Sequence, residues 1–145
     1  MYKHILVPVD GAKLSDKAVK EASGLAAAVG AKLTLFHVVP AYTGAYYAES
    51  AVMMAQYNSA TFAAESAKNA QKVLDRAARQ SKMKVITRHA TSDLPYDAIV
   101  KQAARDKCDL IVMASHGRRG VAGFLLGSET QKVLTHSKVP VLVVR

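Results

Sequence analysis

At 145 residues the chain suits one domain, and half of its residues are apolar against 21% charged, which excludes a disordered chain. A single cysteine, Cys108, excludes an internal disulfide and any paired-cysteine metal set. With no apolar run of about 18 residues and no signal-peptide pattern, a membrane span is not expected and a cytoplasmic, reduced compartment is.

The chain opens on a buried-strand pattern, His4 to Val9, followed by a helical pattern from Ser15 to Val29 that stops at Gly30. Lys32 to Val39, rich in β-branched and aromatic residues, predicts a second strand. Pro40 to Asn58 is too long for a routine connection and carries four of the six tyrosines. It reads either as an extension packing on its own or a partner's surface, or as a lid over a crevice. An amphipathic helix is predicted over Ser59 to Lys82, a short strand over Val85 to His89 and a helix over Leu94 to Lys107, with Pro95 in its first turn. Asp109 to Ala114 and Val139 to Val144 predict the last two strands, flanking a helix that starts near Ser128 and ends at His136. Alternation of this kind specifies an α/β fold, a doubly wound open parallel sheet of five strands with helices on both faces. Ligands of such sheets lie beyond the carboxyl ends of the strands, where the winding reverses.

The formal charge of +9 raises nucleic acid as a partner. The basic residues, however, recur at three- and four-residue spacings, as in Lys17 and Lys20, Lys68 and Lys72, or Lys101 and Arg105, as solvated helix faces do. No aromatic residues interleave with them, so nucleic acid is not the expected partner and a basic surface attractive to anionic ligands is.

The informative stretch is Met113 to Ser128, which places glycines, hydroxyls and two arginines between a strand and the start of a helix. Unpaired N–H groups and the positive end of a helix dipole favour anions there. A P-loop is excluded because Ser128, not lysine, follows Gly127. A dinucleotide fingerprint is excluded because Asp10-Gly11-Ala12 follows the first strand. What remains is Ala114, two residues, Gly117, nine residues, then Gly127-Ser128. This spacing resembles that of the universal stress protein family, whose nucleotide-binding members carry Gly, two residues, Gly, nine residues, Gly, then Ser or Thr. The resemblance spans residues 1–145 as one domain and includes Ile5 to Asp10, Phe36 to Val39, Asp109 to Met113 and Val139 to Val144.

The resemblance implies a Rossmann-like sheet of order 3-2-1-4-5 and a stress-response protein that binds ATP or a related adenine nucleotide. It assigns Pro8, Val9 and Asp10 to the adenine and ribose end, Val38 to an apolar wall, and Met113 and the backbone from Ala114 to Gly117 to the ribose and phosphates. Gly127, Ser128 and Thr130 are expected to donate to phosphates. Arg118 and Arg119 offer charge-assisted bonds, and His116 donates to a phosphate or caps the turn. Each assignment has a structural alternative: Asp10 caps the loop before the first helix, Ser128 serves as an N-cap, and the arginines form a solvated basic turn.

Two departures bear on binding. Ala114 replaces a glycine; at positive φ it would cost about 1–2 kcal/mol, whereas in an extended backbone its methyl merely crowds the ligand. Glu129 stands in the first turn, where repulsion of a phosphate at about 6 Å approaches ~3 kcal/mol per charge pair at an effective dielectric near 20. It must point away, meet Arg118 or Arg119, or weaken binding. No metal-ligand spacing is seen, so magnesium would arrive with the nucleotide. No positioned nucleophile, base and orienting group is recognisable, so the chain reads as a binder with at most slow ATP hydrolysis. The alternative is a dimeric interaction module of the same family that binds no nucleotide. In either case the apolar C-terminal strand, at a sheet edge, is expected to pair with its twin in a homodimer.

Overall fold

The computed structural model describes residues 1–41, 59–116 and 126–145. The tyrosine-rich segment, from Tyr42 to Asn58, and the loop centre, from Gly117 to Leu125, lie outside the described residues. Five strands and four helices alternate among the described residues: β1 His4–Pro8, α1 Lys13–Val29, β2 Lys32–Val39, α2 Ser59–Gln80, β3 Ile86–Thr91, α3 Pro95–Arg105, β4 Leu110–Ala114, α4 Ser128–His136 and β5 Val141–Val144. All strand pairs are parallel and the order across the sheet is β3-β2-β1-β4-β5, as the resemblance implies.

The period of two along each strand divides the core into two layers. Ile5, Val7, Leu33, Leu35, Leu110 and Val112 face α1 and α2, which contribute Ala18, Val19, Ala22, Leu74 and Ala77. Leu6, Phe36, Ile111 and Met113 face α3 and α4, which contribute Ile99, Ala103 and Val133. The central strands β1 and β4 are buried on both sides, which is why they read as unbroken apolar runs. The edge strands do not: β5 leaves Leu142 45% exposed.

Element ends differ from the predicted ones for local reasons. Helix α1 starts two residues early because the Asp10 carboxylate takes the Ala12 N–H, setting the turn that leads into the helix. It ends as predicted at Gly30, whose φ of 69° is the left-handed cap conformation. Strand β3 extends past His89 because its ladder with β2 continues to Val39 opposite Thr91. Strand β5 starts only at Val141, since Pro140 has no N–H to donate and Ser137 Oγ accepts the Val139 N–H. Among the described residues, no helix is long and apolar enough to cross a membrane.

Candidate functional site

The winding reverses between β1 and β4: β2 and β3 lie to one side and β5 to the other. The residues leaving the carboxyl ends of these two neighbouring strands therefore border one crevice. The β1 side is a tightly braced turn. Val9 is in the core; its N–H donates to the Phe36 carbonyl at 2.8 Å, and its own carbonyl accepts from His37 Nδ1 at 2.7 Å. Half-buried Asp10 accepts the Ala12 N–H on Oδ1 at 3.0 Å, and its own N–H donates to Ser15 Oγ at 3.3 Å. Gly11 holds φ at 81°, a conformation that suits glycine, with the Val73 methyls of α2 beside it. The loop-capping role of Asp10 is thus observed, and it fixes the carboxylate at the end of β1. Pro8 is half-buried at the same end, and Val38 is half-buried against the α3/α4 layer.

On the β4 side, Met113 is buried in the α3/α4 layer and Ala114 is the last strand residue, paired with Val144. Among the described residues Lys107 is the non-glycine with positive φ, so Ala114 carries no left-handed strain. Its methyl packs against the α1/α2 layer. Ser115 is buried; its N–H donates to the Val144 carbonyl at 2.8 Å and its carbonyl accepts the Gly127 N–H at 2.7 Å. His116, half-buried, sets Nδ1 3.1 Å from Ser115 Oγ.

Gly127 is what joins this strand end to α4. Its backbone is extended (φ −61°, ψ 150°), so it is not a glycine for conformational reasons. A Cβ there would sit 3.1 Å from His116 Cα and 3.2 Å from the Ser115 carbonyl oxygen. Gly127 is also the helix N-cap, a correction to the reading of Ser128 in that role: Ser128 is the first helical residue and exposed. The first intrahelical bond runs from Gln131 N–H to the Gly127 carbonyl, so the N–H groups of Ser128, Glu129 and Thr130 precede it at the positive end of α4. Thr130 is buried and its hydroxyl donates to the Ala114 carbonyl at 3.0 Å, which leaves its backbone rather than its hydroxyl to serve a ligand.

The Glu129 carboxylate is directed elsewhere. Oε2 accepts the Tyr96 N–H at 2.9 Å and Oε1 accepts from Lys132 Nζ at 3.0 Å. Tyr96 is in the first turn of α3, whose N-cap, Leu94, has no side-chain acceptor, so Glu129 caps α3 from a neighbouring helix. Of the three outcomes open in the sequence, the side chain takes the first and points away. Lys132 Nζ also lies 5.5 Å from the Tyr96 ring centre, and His136 packs on that ring with centroids 4.9 Å apart. Tyr96 and Ser115 went unnoticed in the sequence. Ser115 stands inside the motif and could have been found; Tyr96 has no local signal. Gly117, Arg118 and Arg119 lie outside the described residues.

Cys108 plays no part in this crevice. It is buried at the opposite end of the sheet, before β4, and its thiol is pushed up to about 12 by burial, then by the Asp106 and Asp109 carboxylates. It is not a nucleophile near neutrality.

A doubly wound sheet with a glycine-sealed helix start at its switch point defines a class of α/β protein that takes ligands at this position. The model of the universal stress protein family matches residues 1–145, and the chain belongs to that family. A universal stress protein of Thermus aquaticus is 32% identical over 148 residues, covering all of both chains. The crystal structure of a universal stress protein in complex with cAMP is 28% identical, covers 99% of this chain and 97% of that one, and superposes with a TM-score of 0.66. An Archaeoglobus fulgidus universal stress protein in complex with dAMP shares the fold, at TM-score 0.67 and 18% identity over 99% and 98% of the two chains.

Proposed function

We propose that this chain binds ATP or a related adenine nucleotide in the crevice between the ends of β1 and β4, and acts in stress response through the bound conformation or through partners. The observation that carries the reading is the Gly127 seal. The start of α4 closes on Ser115 and His116 so tightly that a Cβ at Gly127 would crowd them, and backbone N–H groups are presented at the end of the strand that neighbours β1 and its Asp10 turn. The cAMP complex of a 28% identical relative supports an adenine nucleotide as the ligand class. In this reading Asp10 accepts from the ribose hydroxyls, and Val38, with Pro8 and the Val9 backbone, borders the adenine. Met113, Ala114 and His116 run beside the ribose. Gly127, Ser128, the Glu129 N–H and the Thr130 N–H serve the phosphates together with Gly117, Arg118 and Arg119. Magnesium enters with the nucleotide. The test is to denature the purified protein and identify released adenine nucleotide, then titrate ATP into the stripped protein by calorimetry. Saturable binding is expected; neither released nucleotide nor heat would overturn the reading.

We also infer a homodimer through Val139 to Val144. β5 is an edge strand with a half-exposed apolar Leu142, a surface that two copies can cover by pairing. Leu142→Glu is expected to shift the mass in light scattering from dimer to monomer. An unchanged mass would contradict the inference.

A further inference from the structure

The strands gather at their amino ends what the sequence scatters. Each of the five is led in by an exposed lysine: Lys84 before β3, Lys32 opening β2, Lys3 before β1, Lys107 before β4 and Lys138 before β5. Because every strand runs the same way, all five lysines lie at one end of the sheet. His4 pairs with Lys32, so Lys3 stands one residue before that pair, and Thr34 pairs with Ile86, two residues after Lys84. On the other side Ile5 pairs with Leu110, three residues after Lys107, and Ile111 pairs with Val141, three residues after Lys138. In sheet order the row reads Lys84, Lys32, Lys3, Lys107, Lys138, and at ~4.8 Å per strand it runs for roughly 19 Å.

Among the described residues no ion pair includes any of the five. Two carboxylates lie at this edge and offset part of its charge, five lysines against Asp106 and Asp109. Asp109 accepts the Lys3 and His4 N–H groups at 2.8 to 3.1 Å, and Asp106 turns a buried Oδ2 toward Arg88 Nε, 3.9 Å away. Lys107 stands at φ 53°, where glycine or asparagine would be at ease, so the turn keeps its lysine in an unfavourable conformation.

A set of compact ammonium groups along one sheet end suits a linear polyanion. Lysine meets phosphates as a point charge and needs no base to read. Single strands call for exposed aromatic platforms, and here Tyr2 packs against the core while the His4 ring lies between Thr34 Oγ1 and the Asp106 carbonyl. A bilayer calls for bulky apolar side chains among the basic ones. Beside these lysines, Ala31, Met83, Cys108 and Val139 are buried or half-buried, which leaves Met1, 95% exposed, as the bulky apolar side chain near them, fewer than a bilayer anchor needs. We propose that the row is a docking edge for the phosphate backbone of duplex nucleic acid, bound without sequence preference at the end of the sheet opposite the nucleotide crevice.

The test is fluorescence anisotropy of the full chain with a mixed-sequence DNA duplex across a salt series. About three to five contacts give a slope of log K against log salt of roughly −3 to −4.5. Lys3→Gln/Lys32→Gln/Lys138→Gln is expected to flatten that slope by about 2 to 3 and to weaken low-salt binding by about tenfold or more. Lys20→Gln/Lys68→Gln/Lys72→Gln removes the same charge from the outer faces of α1 and α2 and is expected to change the slope by less than about 1. No duplex binding at low salt would overturn the proposal. So would equal losses in the two triple variants, or binding to phosphatidylglycerol vesicles without binding to the duplex.

Discussion

The two ends of the sheet are built on opposite principles. At the carboxyl end position is everything: Gly127 seats on Ser115 and His116 where a methyl would be crowded, Thr130 ties α4 to the Ala114 carbonyl, and Asp10 is fixed by its own turn. At the amino end the lysines are exposed and need only be gathered at one end of the sheet. One end is specified by contacts, the other by topology. A crevice of the first kind should fail sharply when one atom is added, whereas a row of the second kind should weaken by increments as charges are removed.

The largest effect should come from Gly127→Ala. Overpacking of this order costs about 1–3 kcal/mol, and here it displaces the N–H groups that a phosphate would meet, so adenine nucleotide affinity is expected to fall by about tenfold or more. Duplex affinity should not change, and a variant that loses both would erase the distinction between the ends. Next is Thr130→Val, which removes the hydroxyl that the half-buried Ala114 carbonyl accepts from and should cost about 1–2 kcal/mol in denaturant titrations. Glu129 separates a capping role from a charge role. Glu129→Ala removes the acceptor for the Tyr96 N–H and should cost about 1 kcal/mol, while Glu129→Gln retains it and should cost less than half of that.

At the amino end the corresponding structural group is Asp109, held below the usual carboxylate range first by the His4 N–H bond, with the Lys3 N–H adding to it. A depressed folded pKa means that its stabilisation is present above the ordinary carboxylate pKa and is lost as pH falls through the folded value. Asp109→Asn should therefore differ from the parent in stability at neutral pH and converge with it in acid; a constant difference would contradict this assignment. The smallest effect is expected for Ala114→Gly. Because Ala114 is an unstrained strand residue, restoring glycine should change nucleotide affinity by less than about threefold, for there is no left-handed strain of ~1–2 kcal/mol to relieve.

Much of the carboxyl end was legible because the signals are local. Alternating strand and helix patterns specify the sheet, and the glycine spacing locates the loop between a strand and a helix. The reasons behind particular residues were less legible. Gly127 looks like a glycine needed for backbone freedom and turns out to be one needed for lack of a side chain. Glu129 looks like a threat to a phosphate, and its neutral arrangement depends on Tyr96, 33 residues earlier. The lysine row was illegible for the same reason in stronger form. Its members are separated by whole β-α units, so a scan for basic clusters sees isolated lysines until parallel pairing sets them side by side.

The most direct test of the crevice is a calorimetric titration of ATP into the nucleotide-stripped wild-type protein, Gly127→Ala and the Lys3/Lys32/Lys138 glutamine variant. Saturable heat in the wild type and the lysine variant, with loss in Gly127→Ala while its thermal melt remains cooperative, is the expected result. Equal binding by the wild type and Gly127→Ala, or no heat from either, would contradict the assignment of this crevice as the nucleotide site.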